Sequence, residues 1–239
     1  GSPLAMYSMA GLAEYSVVPA TDVFPISDSL PFDESAILGC AVFTAYGAVR
    51  HAADLRGGER IAVFATGGVG MNIIQIARAF GASQIVAVDV RDDKLALARE
   101  AGATDVVNAS SGEAAARVRE LTDGRGVDVA FEALGIPQTF TQAFESIRDG
   151  GRMVPVGIAP GKTTAAVEIT RLVRRELRII GSYGARTRSD MPEIIRLAAR
   201  GILRPETMVT RRFALADADA AYQALARGDI LGRAIVVME

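Results

Sequence analysis

The residues best placed to do chemistry are Ala65-Thr66-Gly67-Gly68-Val69-Gly70, followed nineteen positions after Gly70 by Asp89. The turn follows the apolar run Ile61-Ala62-Val63-Phe64 and precedes an apolar stretch from Met71 to Phe80; a second apolar run, Ile85 to Val88, leads into the acid. Gly67, Gly68, Val69 and Gly70 would bring the backbone close to a pyrophosphate, with the free N–H groups and dipole of the next helix aimed at it. Asp89 would accept hydrogen bonds from ribose hydroxyls and repel a 2′-phosphate. The separation matches the roughly twenty residues of a dinucleotide site. Ala65 stands where such turns usually have their first glycine, so a negative φ is expected there.

A second group is Gly39-Cys40-Ala41-Val42-Phe43-Thr44, where Cys40 is open to two readings, a metal ligand or a small buried hydrophobe. His51, the one histidine, follows a helix-like segment and reads as a helix-surface or helix-end residue. Asp89 could also simply end a strand, but the glycine turn before it favours ribose binding. Arg91 lies two residues beyond Asp89 and could meet a 2′-phosphate, yet Asp89, Asp92 and Asp93 surround it with negative charge, which favours NAD over NADP. Arg171, Arg174, Arg175 and Arg178 are interrupted by Glu176 and read as a solvated face. Tyr183 is open between a cofactor contact and a hinge core position.

The elements that must hold these residues alternate. Strands are expected over 61–65, 85–89, 105–107, 127–132, 153–157 and 177–182, mostly apolar on both faces as buried parallel strands are. Between them, helices are expected over 70–80, 92–101 (capped by Asp92 and stopped by Gly102), 112–122, 137–148 and 169–174. Asp149-Gly150-Gly151 is expected as the turn ending the fourth helix. Six strands alternating with helices give an α/β, doubly wound parallel sheet. The strand ends at Ala65, Asp89, Glu132-Ala133-Leu134-Gly135 and Val156-Gly157-Ile158 then converge on one edge. The flanks differ: 11–30 reads as extended, Pro31 opens a helical stretch to about Ala53, and the tail holds helices over 191–200 and 216–226 and a strand over 233–238.

Composition narrows the classes. The 239 residues are half hydrophobic, carry a net charge of −2 and include a single cysteine. That excludes an intrachain disulfide framework, fits a reducing compartment and gives no sign of a nucleic-acid partner. No apolar run reaches the roughly twenty residues that span a bilayer, so no membrane partner is expected.

Gly39 to Ala48, the 67–70 turn, Asp89, Gly102-Ala103-Thr104 and Gly232-Arg233 together resemble the medium-chain dehydrogenase/reductase superfamily, and within it the zinc-dependent alcohol dehydrogenases, from Gly11 onward. The resemblance implies a six-stranded Rossmann domain over 41–183, flanked by remnants of a GroES-like catalytic domain over 1–40 and 184–239. It implies that Cys40 is a ligand of the catalytic zinc and Thr44 a catalytic-site residue near the nicotinamide carboxamide. Asp89 would bind the adenosine ribose with Lys94 nearby, and Ala133 would line the cofactor. Val156 and Gly157 would line the nicotinamide pocket, and Arg233 would reach the pyrophosphate. The implied activity is hydride transfer from an alcohol to NAD, with an aldehyde or ketone as the other substrate, in a cytoplasmic homodimer or homotetramer. The family's upstream catalytic segment has no counterpart here, so the chain is expected to be a fragment that binds NAD weakly at best and does not itself oxidise alcohols, its zinc belonging to the intact parent. Two rival readings are a zinc-free, NADPH-dependent quinone or enone reductase of the same superfamily and a non-catalytic dinucleotide-binding fragment.

Overall fold

The computed structural model describes residues 11–238. It divides into two compact units, one of Cys40–Ala185 and one made of the described residues up to Gly39 together with those from Arg186 onward.

In the unit of Cys40–Ala185, helix α1 (Ala41–Gly47) leads through a π-helical turn (Ala48–Ala52) into strand β1 (Arg60–Phe64). Then follow α2 (Gly68–Ala79), β2 (Gln84–Asp89), α3 (Asp92–Ala101), β3 (Asp105–Asn108), α4 (Ala114–Glu120), β4 (Val127–Glu132), α5 (Pro137–Ser146), β5 (Ile147–Pro155), α6 (Ile169–Arg174) and β6 (Arg178–Ile179). The strands form one parallel sheet in the order β3-β2-β1-β4-β5-β6. Chain order reverses between β1 and β4, which is where this Rossmann architecture opens its crevice. Ile61 to Phe64 and Val127 to Glu132 are buried throughout, because helices cover both faces. Helix α2 buries Met71, Ile73, Ile74, Ile76 and Ala77, each large side chain contributing about 1.5–3 kcal/mol of transfer free energy.

Several local expectations shift. Helix α2 starts at Gly68, two residues before the expected position, so two of the turn's glycines form its first turn. Arg91 rather than Asp92 precedes α3 as its cap residue, and Asp92 Oδ1 accepts instead from Asn108 Nδ2 at 2.7 Å. Gly102 ends α3 with φ 117°, as its missing Cβ allows. Helix α5 stops at Ser146, and Asp149-Gly150-Gly151 lies within β5 as an irregularity beside Val127–Val129 rather than as the helix's closing turn. The sixth strand shrinks to Arg178–Ile179. The helical stretch after Pro31 is a 3-10 segment, Glu34–Gly39, broken at Cys40 before α1.

In the other unit, α7 (Thr187–Ala199), β7 (Val209–Ala214), α8 (Ala218–Ala226) and β8 (Arg233–Val237) follow in order. β7, absent from the sequence reading, pairs parallel with β8. Among the described residues, the stretch before Leu30 holds one 3-10 turn, Ala20–Asp22, and no strand. The part of the first flank before Gly11 lies outside the described residues.

Candidate functional site

The parallel register puts Val88, Phe64, Glu132 and Pro155 abreast across four strands. Each strand's next residue, Asp89, Ala65, Ala133 and Val156, therefore stands on one edge of the sheet. Three hydrogen bonds carry the ladder on to these residues: Ala65 N to Val88 O, 2.8 Å; Ala133 N to Phe64 O, 3.0 Å; and Val156 N to Glu132 O, 2.8 Å.

Ala65 overturns the expectation of a negative φ: it sits at +70°, in the left-handed region. The strand-to-helix turn imposes that conformation whatever the residue, and alanine carries a strain of about 1–2 kcal/mol there. Its carbonyl explains Gly70, since a Cβ on Gly70 would lie 2.1 Å from Ala65 O. The strand end and the helix thus touch backbone to backbone. The cap position of α2, Gly67, contributes no side-chain hydrogen bond, which leaves the first-turn N–H groups open. This suits an anion, with the helix dipole adding to the attraction.

Asp89 is nearly buried, and its carboxylate is held on all sides. Oδ2 accepts from Thr66 N at 2.8 Å and from Thr66 Oγ1 at 3.1 Å. Oδ1 accepts from Val90 N at 2.8 Å and Arg91 N at 3.2 Å. Thr66, fully buried, had no signal in the sequence beyond being the free position of a glycine pattern. The Arg91 guanidinium turns to Asp93, with Nε 3.0 Å from Oδ1, and this pairing holds the Asp93 carboxyl below its usual range. Lys94 is half-buried on α3, and its backbone N–H also meets Asp93.

The other side of the crevice is built by Glu132, a buried carboxylate. Its Oε1 accepts from Leu134 N, Gly135 N and Thr139 Oγ1 at 2.9, 2.9 and 2.6 Å. Gly135 has φ 87° and meets Gly157 so closely that a Cβ on Gly157 would be 2.1 Å from Gly135 N. Leu134 and Ile158, large apolar side chains on these two loops, are exposed, as is Val90 beyond β2.

Cys40 stands exposed just before α1, which removes the buried-hydrophobe reading. Thr44 is half-buried on the first turn of α1, its N–H donating to Cys40 O at 2.8 Å. His51 lies in the π-helical turn, its ring edge-on to Tyr46 with centroids 6.5 Å apart. Tyr183 is exposed, which removes its core reading. Among the described residues no group of three or more His, Cys, Asp or Glu side chains could hold a metal, so zinc does not fit these residues alone. No helix among them is long and apolar enough to cross a membrane. Arg233 opens β8 in the other unit, half-buried, and its Nε has no hydrogen-bond partner among the described residues. In the basic cluster, Arg171 lies over the Phe144 ring and donates to Glu145 O at 2.8 Å, and Arg175 pairs with Asp149 at 2.8 Å.

A reversed-order parallel sheet with a glycine turn at the reversal defines the Rossmann class. A family model described as "Zinc-binding dehydrogenase" matches residues 68–200. The chain belongs to this family, the zinc-dependent alcohol dehydrogenases of the medium-chain dehydrogenase/reductase superfamily. It is 31% identical over 226 residues to S-(hydroxymethyl)glutathione dehydrogenase of Saccharomyces cerevisiae, a match covering 92% of this chain and 58% of the yeast protein. Among solved structures, alcohol dehydrogenase TADH from Thermus sp. ATN1 superposes with a TM-score of 0.81 at 29% identity, over 90% of this chain and 61% of that one. A structure titled NAD-dependent alcohol dehydrogenase gives 0.86 at 28% identity, over 95% and 64%. The chain thus spans less than two thirds of the length of these relatives, which are alcohol dehydrogenases and related oxidoreductases.

Proposed function

We propose that the unit of Cys40–Ala185 binds NAD, and that the whole protein transfers a hydride from a small alcohol to it, forming an aldehyde or ketone. The observation that carries the reading is Asp89, a fixed carboxylate at the end of β2, beside the glycine turn at the sheet's order reversal. NAD supplies the hydride acceptor, and this chain's residues supply position and field.

The roles follow from place and chemistry. The backbone of Gly67, Gly68, Val69 and Gly70 receives the pyrophosphate, its N–H groups standing at the N-terminus of α2 with open space around Gly67. Asp89 accepts from the adenosine ribose diol and disfavours a 2′-phosphate through like charge. The engagement of Arg91 by Asp93 supports NAD over NADP, since it occupies the nearest cation. Lys94 lies along the same edge. Ala133, Val156 and Gly157 bound the nicotinamide half, with Thr44 for its carboxamide. The unsatisfied Nε of Arg233 suits an anionic ligand. Cys40 offers one thiolate to zinc, and the described residues bring no further ligands to it. A zinc site in the whole protein therefore needs ligands beyond them. A single cysteine supports a cytoplasmic location. A homodimer or homotetramer belongs to the same reading.

Titration of the chain with NADH and NADPH tests the cofactor assignment. NADH is expected to bind about tenfold or more tighter, a difference of roughly 1.4 kcal/mol. Tighter NADPH binding overturns it and points to the reductase alternative. Stoichiometric zinc and NAD-linked alcohol oxidation by the whole protein test the rest.

A further inference from the structure

Glu132 is not paired as a buried acid usually is: its side-chain partners are the Leu134 and Gly135 N–H groups and the Thr139 hydroxyl of α5 rather than a cation. It is 1% exposed, and taking a carboxylate out of water costs several kcal/mol unless donors replace the solvent. Four contacts replace it. Besides the three to Oε1, Gly135 N also reaches Oε2 at 3.1 Å. These contacts tie the turn at Leu134-Gly135 to the first turn of α5.

The same residue also fixes a second loop. The main-chain carbonyl of Glu132 accepts from Val156 N at 2.8 Å and Gly157 N at 3.0 Å. The two loops then meet through glycine, a Cβ on Gly135 falling 2.6 Å from the Ile158 carbonyl carbon. One residue therefore braces both loops that leave β4 and β5 on the crevice edge, the side chain holding one and the carbonyl the other.

A dinucleotide in this fold crosses the order reversal, one mononucleotide on each side. Asp89 at β2 takes the adenosine ribose, so the second half rests over the ends of β4 and β5. We propose that Glu132 is a positioning residue for this second half, presenting the 133–135 and 156–158 backbones to the nicotinamide nucleotide. The proposal rests on the reading that this unit binds a dinucleotide. A plain structural brace for the start of α5 would use the same hydrogen bonds, and the test must separate the two.

Two ligands do so. ADP carries the adenosine half and both phosphates; NAD adds the second ribose and the nicotinamide. Glu132→Gln keeps shape but sets an amide N–H₂ against the loop donors. Thr139→Val keeps the charge and removes one donor outside the loops' contact. Calorimetric titration of the 239-residue chain with each ligand is expected to show ADP affinity unchanged within about twofold for both variants. NAD affinity should fall about tenfold for Glu132→Gln and a few-fold for Thr139→Val, as the loss of one charge-assisted hydrogen bond predicts. Equal loss for both ligands overturns the proposal and makes Glu132 a brace only, as does undiminished NAD affinity in either variant that folds. Wild-type chain that binds ADP and NAD equally well overturns it while sparing the adenosine site. Wild-type chain that binds neither overturns the dinucleotide reading and the proposal together.

Discussion

Thr66 donates twice to one oxygen of Asp89, through its backbone N–H at 2.8 Å and its hydroxyl at 3.1 Å. The glycine turn and the acid after β2 are thus one hydrogen-bonded object. The turn cannot shift without moving the carboxylate proposed to meet the ribose. Thr66→Val keeps volume and the backbone donor but loses the hydroxyl. It is expected to cost about 1 kcal/mol of stability and to weaken NADH binding a few-fold. Thermal unfolding and NADH titration measure both, and Thr66→Ser should restore the binding. Unchanged NADH affinity in Thr66→Val would remove Thr66 from the site.

Ala65 and Gly70 make opposite predictions from one contact. Ala65 at φ 70° stores strain that glycine would relieve, so Ala65→Gly is expected to stabilise by about 1 kcal/mol, raising the melting temperature a few degrees. Gly70→Ala would press a methyl group to 2.1 Å from Ala65 O. It is expected to destabilise by about 1–3 kcal/mol and to lose dinucleotide binding. A destabilised Ala65→Gly protein would show that the left-handed turn is not strained.

Arg152 ties the strand β5 to the approach to β1. Nearly buried, it donates to Glu59 Oε1 at 2.9 Å, to Glu59 Oε2 at 2.6 Å, and to the carbonyls of Ala53 and Asp54. Arg152→Met would leave a half-covered carboxylate and two carbonyls without their donor. The expected loss is about 3–5 kcal/mol, read by urea unfolding. The double variant Arg152→Met, Glu59→Met should recover part of it, since no charge is then stranded.

Acid should loosen this unit at two carboxylates. Burial raises the pKa of Glu59, but the Arg152 hydrogen bond and charge and the Arg56 N–H outweigh it, leaving it below 4.5. Burial likewise acts upward on Asp128, and the Arg60 N–H with Arg148 and Arg125 brings it below 3.8. A carboxyl depressed in the folded state stabilises above its unfolded pKa, and that stabilisation is lost as pH falls through the folded value. Stability should therefore be level from neutral pH to about pH 5 and fall below about pH 4. The pair Glu59→Gln, Asp128→Asn should be less stable at pH 7 and show a shallower acid decline. An acid decline as steep as wild type's would place the titrating groups elsewhere.

The sheet and the carboxyl edge could be read from the chain because Val- and Ile-rich runs recur between amphipathic stretches, and because glycine spacing and Asp89 are side-chain facts. The conformation of Ala65 could not. Its methyl group argued for a negative φ, while the turn joining β1 to α2 imposes the opposite sign. Thr66 and the bonding role of Glu132 escaped for another reason: each works largely through a backbone N–H, that of Thr66 itself toward Asp89 and those of Leu134 and Gly135 toward Glu132, and a backbone N–H leaves no mark in a sequence. β7 was missed because Thr210, Arg211 and Arg212 interrupt its apolar pattern, three consecutive exposed polar residues reading as a loop. Helices α7 and α8 and strand β8, by contrast, overlap the tail segments expected over 191–200, 216–226 and 233–238.

The unit that holds Arg233 is assembled from two stretches of chain, one before Cys40 and one after Ala185, while the unit of Cys40–Ala185 is a single run between them. This sets an order of events during synthesis. That single run can close as soon as it clears the ribosome. The earlier stretch must wait for that entire run to be translated, on the order of ten seconds. Through that interval Ile37 and Leu38, buried in the finished chain where their 3-10 segment packs on α7 and β8, have no downstream partner, which makes the nascent chain, more than the finished one, the form that calls for a chaperone.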